Sequence, residues 1–265
     1  MMTLAASSAA AALYLAASGY LISQTAQQRA SSRQWLIAFA ITALVLHGLG
    51  IYGEIMGDNG FDLSLVNAIS LIFWVVNGLV LFSGLKKPLH NLFIFLFPIS
   101  TLVVLGTIFS TQEGPALTTH SKGMISHILL SILAYSLLII ATLQSLLLAY
   151  QNYQLKHKHP RGLIRLLPPL QTMESLFFEL LWIGEICLLG SIATGFIFVE
   201  DLFAQHLAHK TVFTLIAFSI YAILLWGRHS LGWRGNTAIR WALGGFAALM
   251  LAYFGSKLVL EVILG

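Results

Sequence analysis

Nine histidines occur in the 265-residue chain, and two of them, His47 and His127, fall inside long apolar runs. Neutral imidazole is the commonest protein ligand for metal ions and a frequent axial ligand of haem iron. An ionisable group within a membrane span is rare and usually turns toward the protein interior or a cavity. His127 heads a polar stripe in HSKGMISHILLSILAYSLLIIATLQSLLLAYQ. On one helix His127, Ser131, Tyr135, Thr142 and Ser145 share an arc of about 80°. Two histidines on different helices can clasp a porphyrin or a metal ion. Each can equally hydrogen-bond a neighbouring helix, and spacing alone leaves both readings open.

The other histidines sort by position. His206 and His209 lie with His120 in or beside acidic gaps between apolar runs. His90, His157, His159 and His229 lie in or beside basic gaps, where a solvated side chain is the simplest reading. A second polar stripe, Asn67, Ser70, Trp74 and Asn77, reads either as interhelical hydrogen bonding or as the wall of a flat ligand site. Glu174, Glu179 and Glu185 follow in MESLFFELLWIGEICLLG. Glu179 and Glu185 are expected to be intramembrane carboxylates, handling a proton or cation or bonded in neutral form to another span. Trp226, Trp233 and Trp241 read as interfacial anchors and Trp182 as packing. No GxSxG, P-loop, HExxH or dinucleotide fingerprint is present, and Cys187, the single cysteine, excludes CxxC and CxxCH chemistry.

The elements that must position these residues follow from composition. Charged residues make up 9% of the chain and hydrophobic residues 58%, with mean hydropathy +0.85. A soluble domain carries about a quarter charged residues. Apolar runs long enough to cross a bilayer recur along the whole chain. They predict an all-α polytopic membrane protein, a single integral domain over 1–265. Its eight spans are expected near 4–24, 34–53, 64–84, 90–110, 124–150, 175–199, 207–227 and 237–262. Pro98 is expected to bend the fourth span, and Pro168-Pro169 to bar a helix from running through the longest connector. The first run lacks a basic leader and reads as an uncleaved span.

The basic residues set the expected orientation. Arg29 and Arg33, Lys86 and Lys87, Lys156, Lys158, Arg161 and Arg165, and Arg228, Arg234 and Arg240 all fall in or around alternate gaps. These are eleven of the fourteen Lys and Arg, whereas Glu54, Asp58, Asp62, Glu113, Glu200 and Asp201 lie in the opposite gaps. The positive-inside rule then places both termini on the periplasmic side. The basic charge serves topology, so the expected partner is the lipid bilayer and not nucleic acid.

Several segments together resemble the cytochrome c assembly superfamily of CcsA/HemX-like haem-handling membrane proteins, and more narrowly its YpjD-like inner membrane branch. His47, followed by an acidic gap and then Asn67, is similar to the family's early histidine and Asn-bearing next span. HILLSILAYSLL resembles its His-headed span, GRHSLGWRGNTAIRWALGGF its WRG-bearing inner loop, and YFGSKLV its closing span. TGFIFVEDLFAQHLAHKTVFTLIAF stands where the family carries a tryptophan-rich haem-presenting loop. The segment EDLFAQHLAHK up to Lys210 has no tryptophan and no histidine follows His229, so the resemblance departs from the haem-presenting pattern at those points. The resemblance implies non-covalent b-type haem, bound or handled through His127, His47, His209 or His206. Asn67, Trp74, Ser131, Tyr135 and Lys210 would support it. It also implies cytochrome c assembly or transporter proteins as partners, a bacterial inner membrane location, and no covalent catalysis by this chain. The alternative is an accessory membrane subunit that binds no cofactor.

Overall fold

Backbone groups in a bilayer must be hydrogen-bonded within the protein, which leaves helices as the economical answer to long apolar runs. The computed structural model describes residues 2–27, 33–57, 60–87, 89–110, 116–117, 122–157, 167–198 and 205–255. It contains eight α-helices: α1 Met2–Ala26, α2 Arg33–Ile55, α3 Leu65–Gly84, α4 Phe93–Phe109, α5 Lys122–Lys156, α6 Leu170–Phe198, α7 Gln205–Leu231 and α8 Asn236–Met250. Six of them are long and apolar enough to cross a membrane, and α4 is a shorter apolar helix. The chain is a multi-pass membrane protein. Large apolar side chains such as Leu15, Val45, Leu102, Ile186 and Ile197 point outward, as lipid-facing residues do. Trp182 belongs to this set at 51% exposure, so it faces outward instead of packing inside as its depth suggested.

Two departures from plain helix are local. Strands β1 Met56–Gly57, β2 Gly60–Asp62 and β3 Ala116–Leu117 form a small antiparallel sheet in that order, pairing Met56 with Phe61 and Phe61 with Leu117. Beyond α8, Leu251–Gly255 forms a π-helical turn. The expected end of the last span, near 262, lies outside the described residues. So do residues 199–204, the acidic part of the gap that replaces the tryptophan-rich loop.

Helix ends follow their residues. α6 starts directly after Pro168-Pro169, and the Pro169 carbonyl accepts a bond from the Met173 amide. α4 continues through Pro98 as one element. The loop from α7 to α8 turns at Gly232 (φ 68°) and Gly235 (φ 55°), a backbone region that glycine adopts without steric cost.

The chain forms two compact units, residues 1–118 with 159–168, and 119–158 with 169–265. In the first, α1 packs against α2 and α4, and α3 against α2 and α4. Ala10, Ala11 and Ala17 on α1 are buried, as are Ala40 and Ala43 on α2, and such small residues let helix backbones approach. In the second, α5 lies along α6, α7 along α8, and α5 also meets α8.

Candidate functional site

In the first unit α1 and α3 meet α2 at His47, which is 2% exposed. Its Nε2 is 2.9 Å from the Ser70 hydroxyl of α3, and its Nδ1 is 3.3 Å from the Tyr14 hydroxyl of α1. The Tyr14 ring meets His47 edge-on at 5.8 Å and lies 5.6 Å from Phe97 of α4. Both imidazole nitrogens are thus engaged by neighbouring helices.

The stripe on α3 is used in the same way. Asn67 donates to Asp62 at 3.3 Å, and Trp74 Nε1 donates to the Leu44 carbonyl at 2.9 Å. Asn77 donates to the Ser100 hydroxyl at 2.7 Å. Asp62 also accepts from the Ser64 amide at 2.8 Å, which holds the entry to α3.

In the second unit His127 sits in the second turn of α5, partly buried against α6. Its Nδ1 is 2.8 Å from the Ser191 carbonyl oxygen. A carbonyl only accepts, so Nδ1 carries the hydrogen and Nε2 of the neutral ring holds a free lone pair. Nε2 has no hydrogen-bond partner among the described residues. An N–H donated to a backbone carbonyl is the arrangement that orients metal-ligating histidines and raises the basicity of the other nitrogen. Ser131, one turn on, bridges to the Ser191 hydroxyl at 2.7 Å and ties the same two helices. Gly195 faces the imidazole, where a Cβ would stand 3.1 Å from Cε1.

Around this histidine lies a polar group drawn from three further elements. Lys210 of α7 is close enough for its charge to be felt at the His127 ring. Its ammonium also sits over the Tyr253 ring, 4.9 Å from the centroid. Tyr253, in the π turn, is 5.6 Å from the Tyr135 ring, and the Tyr135 hydroxyl donates to the Leu249 carbonyl at 2.9 Å. A π turn bonds each amide five residues back instead of four, leaving a carbonyl in the ladder for an outside donor. Farther along the stripe, Thr142 and Ser145 bond back to Leu138 and Thr142 of their own helix. His209 is exposed at the start of α7. His206 lies in the first turn of α7, with its side chain outside the described residues. Among the described residues no group of three or more His, Cys, Asp or Glu side chains is placed to hold a metal ion.

The three glutamates of α6 separate. Glu185 is 6% exposed, whereas Glu179 is exposed. Glu174 accepts from Arg228 at 3.0 Å and lies 3.5 Å from Arg234 Nε. Arg228 also covers the Phe178 ring at 4.5 Å, and Trp233 stands 5.3 Å from Trp241. The WRG loop is thereby docked onto α6 through Glu174. Neither this docking nor the partners Ser191, Thr194 and Gly195 were nominated from the residues alone. The available signal was SIATG, a run of small residues in α6.

A multi-pass helical membrane protein with a histidine poised on a span, a neighbouring lysine and a docked WRG loop defines the class. The Cytochrome C assembly protein family model matches residues 35–264, and the chain belongs to that family. It is 31% identical over 239 residues to the inner membrane protein YpjD of Escherichia coli K12, covering 89% of this chain and 90% of that one. An uncharacterized 28.8 kDa protein of Azospirillum brasilense is 31% identical over 188 residues, 69% of each chain. The HemX protein of Brevibacillus brevis is 24% identical over 183 residues, 65% of this chain and 67% of that one. No solved structure matches.

Proposed function

We propose that this protein binds or handles haem in the bacterial inner membrane in support of cytochrome c assembly, with His127 as the iron ligand. The observation that carries the reading is the bond from His127 Nδ1–H to the Ser191 carbonyl, which leaves Nε2 as a Lewis base. Bound haem would supply an iron centre for axial ligation or electron transfer, and this chain would hold and orient it. Lys210 offers a cation suited to a propionate carboxylate, and Tyr135 and Tyr253 add aromatic surface beside it. His209 and His206, at the start of α7, are the further candidate ligands in the same unit. His47 is a ligand only if it releases Ser70 or Tyr14. The bias of basic residues toward alternate gaps supports a topology with both termini on the periplasmic side.

Haem titrated into purified protein should give a Soret band with saturable stoichiometry. A protein that stays colourless with excess haem would end the proposal. The second reading is an accessory subunit that supports an assembly or transport partner without a cofactor. It is favoured by the closed hydrogen bonding of His47 and of the α3 stripe. Co-purification of a partner that is indifferent to His127→Ala, together with no haem binding, would select it.

A further inference from the structure

Glu185 lies midway along α6, 6% exposed, and both its carboxyl oxygens are buried without a hydrogen-bond partner. An ionised carboxylate taken out of water without a partner is far more costly than the neutral acid. The cations that might have paired with it are placed elsewhere. Arg228 and Arg234 are at Glu174, and Lys210 is over Tyr253. Among the described residues no cation pairs with Glu185.

In the same unit the Tyr221 hydroxyl of α7, a residue 0% exposed, is also buried without a hydrogen-bond partner. That hydroxyl approaches Thr142 of α5, whose own hydrogen is given to the Leu138 carbonyl. Gly245 of α8 lies flat against the Tyr221 ring, where a Cβ would stand 2.7 Å from it, so the ring is pinned from the far side. The Tyr135 ring of α5 lies 5.6 Å from that of Tyr253 in the π turn, over which the Lys210 ammonium sits. A carboxyl with both oxygens buried and unbonded is costly to keep ionised, and such a group calls for an occupant. A proton on the carboxyl is the smallest occupant that removes the charge and supplies a donor.

We propose that Glu185 is a proton-binding site in the interior of the α5–α8 unit. The step is a carboxylate and a proton giving a carboxylic acid. No electron moves, and the proton comes from and returns to water. The site is independent of haem binding by His127.

The test is infrared difference spectroscopy of the full chain in lipid nanodiscs near neutral pH, in water and in heavy water. A protonated-carboxyl C=O band that shifts on deuteration is expected, and Glu185→Gln should remove it. Glu185→Asp should keep a protonated-carboxyl band but move its frequency, because the shorter side chain carries the acid into a different part of the same interior. This second variant retains the acid and reads the same site if Glu185→Gln does not purify. Absence of the band in the native protein would overturn the proposal, since the carboxyl would then be ionised with a bound cation. A band that neither variant changes would overturn it equally.

Discussion

Gly195 makes room for the His127 ring: a methyl group there would stand 3.1 Å from Cε1 and 3.3 Å from Nδ1. The imidazole must then give way by a few tenths of an ångström, at the expense of its bond to the Ser191 carbonyl. Supporting contacts of this kind are worth roughly 10–100-fold in metal affinity. Gly195→Ala is therefore expected to weaken haem binding about tenfold while far-UV circular dichroism stays unchanged. Wild-type affinity in that variant would count against the assigned tautomer. For His47 the expected cost is to stability. Ser70→Ala removes the 2.9 Å partner of Nε2 and should lower the thermal midpoint, with a loss of about 0.6–1.7 kcal/mol. The position of both histidines inside spans was legible from the apolar runs around them. Their bonding was not, because Ser191 lies 64 residues from His127 and Tyr14 lies 33 from His47.

At the scale of elements, Glu174 connects α6 to the loop that carries Trp233 and Arg234. Arg234 is 63% exposed on its side chain, so its ion pair contributes little. Arg228 is more enclosed and carries most of the link, on the order of 1–2 kcal/mol. Glu174→Gln should raise the population of the open loop about tenfold, read as faster tryptic cleavage after Arg234. Equal cleavage rates would show that the loop is held by Trp233 and Trp241 alone. The eight helices were legible because each apolar run also satisfies its own backbone. Their ends were less so. α5 runs to Lys156, past the apolar stretch expected to end near 150, because a helix continues into polar residues wherever nothing breaks it. The sheet went unread, although the sequence Gly57-Asp58-Asn59-Gly60 carries a hairpin-turn signal between short β1 and β2. Its third strand comes from a distant gap that no local pattern announces.

For the whole molecule, charge and composition carried most of the reading. Eleven of fourteen basic residues on alternate gaps is a bias strong enough to orient the chain. Alkaline phosphatase fused after the C-terminus should be active, and a fusion in the 157–166 connector inactive. The reverse pattern would invert the topology and with it the side from which His127 is reached. The polar stripe on α5 meets other helices through Ser131 and Tyr135, which bond to α6 and α8, while Thr142 and Ser145 bond within α5 and the His127 Nε2 has no partner among the described residues. The most direct measurement is the absorbance spectrum of purified His127→Gly after exposure to haem and removal of unbound haem, with and without added imidazole. Ligation by His127 predicts a Soret band lost in the variant and restored by imidazole filling the vacated space. A Soret band that persists unchanged without imidazole would contradict it.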